Sequence, residues 1–298
     1  MPAVLTPVPL PDFLAGPLAA NHDCVNLPEA AVRAMVVPGG YAVPEAMIAA
    51  LPNLEIVSVF GVGYDGVPLP VCRARGIRVT NTPDVLTDDV ADIAVALVLM
   101  TSRRLGEAER HVRSGQWPSG AFPLAHALRG KTAGIFGLGR IGKAIARRLE
   151  AFGMKIAYHG RNPQQVPFIF CASLIELAQV SDFLIVACPG GQGTRHLIHA
   201  EVLAALGAKG TLINIARGSV VDEQALIQAL ESGGIRSAGL DVFENEPQVP
   251  ERLLACPQAV VLPHIGSATH ETRRAMARLV IDNLAAHFAG QPLLTPVC

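Results

Sequence analysis

Three polar side chains with acid–base or anion-binding chemistry follow predicted strands in the second half of the sequence. Arg217 comes after the strand-like run 212–216, Glu246 lies in an acidic loop, and His264 follows the apolar run 260–263. The carboxyl ends of parallel strands share one edge of a sheet, and ligands bind at that edge. Each residue alone has an ordinary structural explanation, but three on one edge indicate a reactive site.

A glycine-rich segment, 137–142, has the spacing G-x-G-x-x-G. A buried strand is predicted before it, over 133–136, and a helix directly after it. Gly137 allows a tight turn, Gly139 lets the backbone approach a pyrophosphate, and Gly142 lets helix and strand pack closely. The N-terminus of the helix offers unpaired N–H groups to phosphate oxygens. The segment therefore predicts a dinucleotide site, with a purely structural turn as the alternative.

The residues after the next predicted strand bear on the choice of dinucleotide. NAD sites place an acidic residue there, about 20 residues beyond the glycine motif, to bind the ribose hydroxyls. No acid occurs between Glu150 and Glu176, and the strand is followed by Gly160, Arg161 and Asn162. The guanidinium of Arg161 suits a 2′-phosphate, with Asn162 as a second donor. NADPH is therefore favoured over NADH, and a solvated loop arginine is the alternative.

Several longer motifs occur in one order along most of the chain. They are Gly61-Val62-Gly63-Tyr64-Asp65, Asn81-Thr82-Pro83-Asp84-Val85-Leu86-Thr87, the glycine motif, Asn214-Ile215-Ala216-Arg217-Gly218, Gly239-Leu240-Asp241-Val242-Phe243, Glu246-Pro247 and Pro263-His264-Ile265-Gly266-Ser267-Ala268-Thr269. With these motifs the sequence resembles the D-isomer-specific 2-hydroxyacid dehydrogenases. Within that family it is most similar to the NADP-dependent glyoxylate/hydroxypyruvate reductases. The resemblance implies NADPH-dependent reduction of a small 2-oxo acid to the D-2-hydroxy acid.

The resemblance implies catalytic roles that the chemistry of the side chains supports. Arg217 would hold the substrate carboxylate and polarise the carbonyl group. The backbone N–H groups of Val62 and Gly63 would bind the other side of the carboxylate. His264, in its protonated form, would donate a proton to the carbonyl oxygen. Glu246 would pair with His264 and keep that acid form available near neutral pH.

Further binding residues are implied by the same resemblance. Ser267 would contact the substrate, and Asp241 would lie near the nicotinamide amide. The residues implied to contact the cofactor are Gly137, Leu138, Gly139, Arg140, Ile141, Gly142, Gly160, Arg161, Asn162, Cys188, Pro189, Thr194, Ile215, Ala216, Arg217, Asp241, His264 and Gly266. His196 and His199 are spaced as a metal pair but have no third ligand, so no metal is expected. His159 is expected to be a solvated neighbour of the phosphate site.

Alternating strand-like and helix-like segments predict an α/β fold. Strands are predicted over 33–37, 54–60, 77–80, 133–136, 154–158, 183–188, 211–215, 237–243 and 259–263. Helices are predicted over 44–51, 67–75, 141–151, 173–180, 199–206, 222–231 and 269–289. We expect two doubly wound parallel-sheet domains. A Rossmann dinucleotide-binding domain, 98–268, would be inserted in a flavodoxin-like substrate domain made of 1–97 and 269–298.

Two segments between the domains bear on assembly. The predicted helix 88–104 is apolar nearly all round, which suits an interface between subunits or domains and also a core helix. Residues 105–130 read as an irregular surface arm that carries the single tryptophan. In some relatives a tryptophan of this arm reaches the substrate of the partner subunit. Trp117, Phe122 and Leu124 are the candidates here, and a homodimer is expected.

Composition excludes several other classes of protein. Half of the 298 residues are apolar and the formal net charge is -1, so no basic surface for nucleic acid or anionic membranes is expected. Six cysteines occur without any C-x-x-C spacing, which favours free thiols in a reducing cytoplasm. The longest apolar run, 93–100, is too short to span a bilayer. A cytoplasmic enzyme is expected.

Two alternative functions remain open from the sequence. The first is an NAD-dependent dehydrogenase of the phosphoglycerate type, which requires Arg161 to have no role in cofactor binding. The second is a dinucleotide-sensing, corepressor-like protein that binds protein partners, because such proteins can keep the residues equivalent to Arg217, Glu246 and His264. The absence of long basic or disordered tails argues against the second.

Overall fold

A computed structural model describes residues 1–298 and divides them into two compact units. The split unit consists of Met1–Leu86 together with Ser267–Cys298, and the continuous unit is Thr87–Gly266. Each unit contains one sheet in which every strand pair is parallel, with five strands in the split unit and seven in the continuous unit. The predicted fold class, α/β with two parallel sheets, is confirmed.

The sheet of the split unit has the strand order β2-β1-β3-β4-β5. The strands are β1 (Ala3–Leu5), β2 (Asp23–Val25), β3 (Val32–Pro38), β4 (Ile56–Phe60) and β5 (Arg78–Thr80), and the helices between them are α1 (Asp12–Asn21), α2 (Glu45–Ala49) and α3 (Leu69–Ala74). The elements β1, α1 and β2 are absent from the sequence prediction. Gly16 and Pro17 lie inside α1 and oppose helix formation, so the local pattern gives no helix signal.

The sheet of the continuous unit has the strand order β12-β11-β10-β9-β6-β7-β8. The strands are β6 (Thr132–Phe136), β7 (Lys155–His159), β8 (Ile169–Phe170), β9 (Phe183–Val186), β10 (Thr211–Asn214), β11 (Ser237–Leu240) and β12 (Ala259–Val261). The chain runs outward from β6 to β8, then crosses back to β9 and runs outward on the other side. The loops after β6 and β9 diverge at this switch point, where open parallel sheets bind ligands. Six strands were predicted, and the seventh, β8, has only two residues.

Helices cover this sheet: α4 (Thr87–Arg103), α5 (Leu105–Arg113), α6 (Arg140–Ala151), α7 (Leu174–Val180), α8 (Ala200–Leu206), α9 (Glu223–Glu231) and α10 (Glu251–Leu254). The apolar helix α4 packs against α6, β10 and β11, and eight of its residues are buried within this one chain. It is therefore a core helix of the unit. The prediction that 105–130 is irregular was wrong at its start, where α5 forms with no buried residue.

The chain returns to the split unit through α11 (His270–Phe288), which packs against α1 and β4. Thr269 caps this helix, because its hydroxyl accepts a hydrogen bond from the N–H of Thr272 at 3.2 Å. The fully buried Asn283 then binds the backbone of Leu294 and Thr295 and fixes the terminal segment against the helix. No helix of the chain is both long and apolar enough to cross a membrane.

Candidate active site

The imidazole of His264 and the carboxylate of Glu246 form a direct pair in the continuous unit. Nδ1 of His264 lies 2.7 Å from Oε2 of Glu246. The two side chains are 40% and 34% exposed, so the pair is accessible rather than buried in the core. Because Nδ1 faces the carboxylate, Nε2 is the ring nitrogen that can carry a transferable proton. The sequence predicted this pairing from residue types and family resemblance.

Glu246 is held in its ionised form by its neighbours. Burial by itself raises the pKa of Glu246, but the hydrogen bonds from His264 and from the N–H of Phe243, with the positive charges of His264 and Arg217, lower the pKa below its ordinary value. The bond from Phe243 joins that N–H to Oε1 at 3.0 Å. The carboxylate is thus charged at neutral pH, directly beside Nδ1 of His264.

Asp241 fixes the backbone that carries His264. Its two carboxylate oxygens accept the N–H groups of Ile265 and Gly266, each at 2.8 Å. The backbone of His264 has a φ of 53°, a left-handed conformation that costs roughly 1–2 kcal/mol for a residue with a side chain. Burial raises the pKa of Asp241, and the two N–H bonds and the charge of His264 oppose the rise. These bonds make Asp241 a positioning group, and its contact with the nicotinamide amide stays a prediction.

Arg217 follows β10 in a segment that its neighbours hold tightly. The side chain of Asn214 binds the backbone on both sides of the Ala216–Arg217 peptide bond. Its Nδ2 donates to the carbonyl of Arg217 at 2.9 Å, and its Oδ1 accepts the N–H of Ala216 at 3.1 Å. A Cβ on Gly218 would lie 1.9 Å from the carbonyl carbon of Phe243, so only glycine permits this approach. The positioning roles of Asn214 and Gly218 were not predicted, because no spacing rule marks either residue.

The three glycines of the dinucleotide motif have distinct environments. Gly137 has a φ of 100°, and a Cβ there would lie 2.7 Å from the backbone of Cys188 after β9. A Cβ on Gly142 would lie 2.2 Å from the carbonyl oxygen of Gly137, which shows how closely α6 packs against the turn. A Cβ on Gly139 would meet nothing within 4 Å. The space beside Gly139 suits a pyrophosphate, so the motif fits a dinucleotide.

The loop after β7 carries the residues predicted to distinguish NADPH from NADH. Arg161 and Asn162 are both exposed. The side-chain amide of Gln164 donates to the carbonyl of Leu138 at 2.9 Å and so links this loop to the glycine motif. The expectation that His159 is merely solvated was wrong, because its Nδ1 donates to the carbonyl of Cys171 at 2.9 Å. Its ring also stacks on Phe136 and on Phe170, at 5.8 Å and 6.5 Å between centroids.

The remaining predicted cofactor residues lie beside these two loops. Cys188 is buried, and burial raises its thiol pKa to about 12, so the thiol is neutral and unreactive. The hydroxyl of Thr194 donates to the carbonyl of Pro189 at 2.8 Å and closes the loop after β9. Ile215 and Ala216 are buried directly after β10.

The predicted substrate residues of the split unit lie in a braced loop and in the return segment. Val62 and Gly63 follow β4, and the side-chain amide of Asn81 donates to the carbonyl of Val62 at 2.8 Å. A Cβ on Gly61 would lie 2.8 Å from the Cα of Gly39, so a close backbone approach also holds this loop. Ser267, half-buried, is the first residue of the return segment.

The two histidines considered as metal ligands have other surroundings. Nε2 of His196 lies 2.8 Å from Oε1 of Glu244, and the guanidinium of Arg195 lies 2.7 Å from the same oxygen. His199 occupies the position directly before α8, and its side chain makes no capping hydrogen bond. No group of three or more His, Cys, Asp or Glu residues in the chain could hold a metal ion.

These observations define the class of the protein. A doubly wound sheet with a dinucleotide loop at its switch point, followed by an arginine and a Glu–His pair after later strands, is the arrangement of a nicotinamide-dependent oxidoreductase. The model of the family described as D-isomer specific 2-hydroxyacid dehydrogenase, NAD binding domain, matches residues 95–266.

Two similar proteins are named as reductases of 2-oxo acids. The chain is 54% identical over 267 residues to the glyoxylate/hydroxypyruvate reductase A HPR2 of Arabidopsis thaliana, covering 89% of this chain and 85% of the relative. It is 51% identical over 279 residues to the hydroxyphenylpyruvate reductase of Plectranthus scutellarioides, covering 93% and 89%.

Among solved structures, the NADPH-dependent glyoxylate/hydroxypyruvate reductase SmGhrB of Sinorhizobium meliloti, in complex with NADP and malonate, superposes with a TM-score of 0.95. That match has 50% identity and covers 100% of this chain and 97% of the other. The chain belongs to the D-isomer specific 2-hydroxyacid dehydrogenase family. It is an NAD(P)-dependent enzyme of that family.

Proposed function

We propose that this enzyme uses NADPH to reduce glyoxylate, hydroxypyruvate or a similar small 2-oxo acid to the D-2-hydroxy acid. The observation that carries the proposal is the 2.7 Å pair of His264 with Glu246, in an environment that keeps the carboxylate charged. The names of the relatives support the substrate class, and the NADP complex of SmGhrB supports the cofactor.

Each residue of the site has a separate role in substrate binding or proton transfer. Arg217 binds the substrate carboxylate and polarises the carbonyl, and the N–H groups of Val62 and Gly63 also bind the carboxylate. NADPH, when bound, supplies the hydride. His264 donates a proton from Nε2 to the carbonyl oxygen, and Glu246 stabilises the imidazolium until that transfer. Ser267 is proposed to contact the substrate.

NADPH is proposed to bind along the glycine motif and the loop after β7. The N–H groups at the start of α6 bind the pyrophosphate, and Arg161 binds the 2′-phosphate with help from Asn162. An exposed arginine without a neighbouring acid suits that charge, since a carboxylate there would repel the phosphate. We also propose that the continuous unit is the cofactor domain and the split unit is the substrate domain.

The first test measures NADPH and NADH oxidation with glyoxylate and with hydroxypyruvate. Wild-type enzyme should prefer NADPH. Arg161→Ala should weaken NADPH binding about ten- to hundredfold, the worth of a charge-assisted hydrogen bond, and leave NADH unchanged. Arg147→Ala, which changes another exposed arginine of the same unit, is the matched control. Activity with NADH alone would retain the reaction and remove the role of Arg161.

The second test addresses the proton donor. His264→Gln should lower kcat by about two to four orders of magnitude, the usual contribution of a general acid, while NADPH binding persists. Binding is measured by titration of NADPH fluorescence, and turnover by absorbance. Retention of wild-type turnover in this variant would show that another group supplies the proton.

A homodimer is also proposed, on the exposure of apolar residues in the arm. Leu124 is 98% exposed, Trp117 is 65% exposed and Val112 is 54% exposed. Apolar side chains concentrated in one segment are typical of an interface. Light scattering at micromolar concentration should give twice the mass of the chain, and a monomeric mass would refute the dimer.

A cytoplasmic location is proposed on the state of the cysteines. All six are free thiols in the structure, and four of them are buried. Free thiols persist in a reducing compartment.

A further inference from the structure

A small cavity of the split unit has a basic lining. Its volume is about 200 Å³, and it is lined by Phe13, Ala268, Thr269, His270, Arg273 and Arg274. Two arginines and a histidine contribute to the lining, and no acidic residue does. Such a cavity favours a ligand group that accepts hydrogen bonds or carries negative charge.

Arg273 is the half-buried arginine of this cavity, whereas Arg274 is exposed. Its guanidinium carbon lies 5.6 Å from the ring centroid of Phe60, and no hydrogen bond or ion pair compensates its burial. Burial lowers the pKa of Arg273, which shows that the charged form is poorly solvated. By contrast, Arg278 on the same helix pairs with Asp282 at 3.1 Å. A half-buried guanidinium without an acceptor is costly and is ready to bind an external one.

Two chain connections place this cavity beside the proposed substrate residues of the same unit. Phe60 is the last residue of β4 and is followed directly by Gly61, Val62 and Gly63. Consecutive Cα atoms are about 3.8 Å apart, so Val62 lies within roughly 8 Å of Phe60. On the other side, Ala268 follows Ser267 directly. The cavity is therefore adjacent to both segments of the split unit to which substrate binding is assigned.

We propose that Arg273 is a specificity-determining residue, which binds an acceptor oxygen carried by the substituent on the carbonyl carbon of the 2-oxo acid. This inference rests on the proposed function. The carboxylate and carbonyl groups, common to all 2-oxo acids, are assigned to other residues, and only the substituent beyond them varies. On the carbonyl carbon, beside the carboxylate, glyoxylate carries hydrogen, pyruvate a methyl group, hydroxypyruvate a hydroxymethyl group and oxaloacetate a carboxymethyl group. The guanidinium has five donors and no acceptor, so it distinguishes the oxygen-bearing substrates from pyruvate.

The test compares wild-type enzyme, Arg273→Met and Arg278→Met. Methionine keeps an apolar stem of similar length and removes the donors. Arg278→Met is the matched control, because it removes an exposed and already paired arginine five residues further along the helix. For each enzyme, kcat/KM with NADPH is measured for glyoxylate, pyruvate, hydroxypyruvate and oxaloacetate. Wild-type turnover of glyoxylate tests the proposed function by itself.

Arg273→Met should lower the ratio of kcat/KM for hydroxypyruvate to that for pyruvate by about tenfold or more. A fall in the ratio of kcat/KM for oxaloacetate to that for pyruvate also supports the subsite. A larger fall for hydroxypyruvate identifies the preferred acceptor as a hydroxyl group, and a larger fall for oxaloacetate identifies it as a carboxylate. Arg273→Lys retains a charge and hydrogen-bond donors. Its hydroxypyruvate-to-pyruvate ratio of kcat/KM should therefore lie between those of Arg273→Met and the wild-type enzyme. If Arg273 had only a structural role, Arg273→Met would lower kcat/KM for all four substrates alike. Unchanged ratios in a variant that still reduces glyoxylate would overturn the proposal.

Discussion

Replacement of Gly218 by alanine should separate two loops on which the catalytic residues depend. Gly218 follows Arg217, and the backbone that it contacts, at Phe243 and Glu244, leads to Glu246. A Cβ at position 218 would lie 1.9 Å from the carbonyl carbon of Phe243, 2.0 Å from its oxygen and 2.3 Å from the nitrogen of Glu244. Ordinary contact begins at 3.4 Å. All three neighbours are backbone atoms, so one loop must move by about 1.5 Å, a shift inferred from these distances and the close packing of interiors.

That movement should affect activity more than folding. A misplacement of about 1 Å in a catalytic group costs on the order of a hundredfold in rate. Overpacking at a tight site typically costs about 1–3 kcal/mol of unfolding free energy. We therefore expect Gly218→Ala to lose at least a hundredfold in kcat with glyoxylate, with a moderate fall in the midpoint of denaturant unfolding. The binding of NADPH should change less than kcat, because the glycine motif lies after a different strand.

The matched control is Gly16→Ala in helix α1. A Cβ at position 16 would meet nothing within 4 Å, and alanine is a better helix former than glycine. This variant should keep wild-type kcat and gain slightly in stability. Steady-state NADPH oxidation and urea unfolding are measured on both variants. Wild-type kcat in Gly218→Ala would refute the argument that this contact positions Arg217 and Glu246.

Three further predictions follow from the same site. Gly139→Ala should raise the KM for NADPH and leave the free energy of unfolding unchanged. Gly142→Ala should lower the free energy of unfolding by about 1–3 kcal/mol, because only the Cβ at position 142 meets protein atoms. Equal thermal midpoints of the two variants would contradict this difference. The depressed pKa of Glu246 keeps its carboxylate charged as pH falls until that lowered pKa is reached, so the acid limb of the wild-type kcat/KM profile should lie below the ordinary pKa of a glutamate. Glu246→Gln should lower kcat and remove that limb, and an unchanged acid limb in this variant would contradict the pairing. Gln164→Leu should raise the KM for NADPH several-fold relative to Gln165→Leu, since only Gln164 binds the glycine motif; equal KM values would show that this link has no role.

The sequence predicted the parts of the fold that depend on strong local patterns. The glycine spacing at 137–142 and the polar residues at strand ends required only the rule that parallel strands share an edge. α1 was missed because it contains Pro17, and β1 and β2 were missed because each has three residues, whereas the equally short β5 and β12 lie within longer strand-like runs, 77–80 and 259–263. Such short strands are defined by their partners in the sheet rather than by their own composition.

The roles of His159 and Asp241 could not be predicted, for a related reason. A histidine at the end of β7 looks solvated until the distant Cys171 and Phe170 are seen to surround it. Family resemblance placed Asp241 near the nicotinamide amide, and that contact stays a prediction beside its positioning role. Its hydrogen bonds with Ile265 and Gly266 join residues 24 and 25 positions apart, which no local pattern encodes.

The residues proposed to be catalytic are thus held by two backbone constraints that do not involve their own side chains. Gly218 sets the distance between the segment of Arg217 and the segment of Glu246, and Asp241 holds His264 in a left-handed conformation. Neither constraint contributes a group that reacts with a substrate. Removal of either leaves Arg217, Glu246 and His264 in the sequence but not in register with one another. We therefore expect retention of these three residues in a relative to indicate catalysis only where the residues equivalent to Gly218 and Asp241 are retained as well.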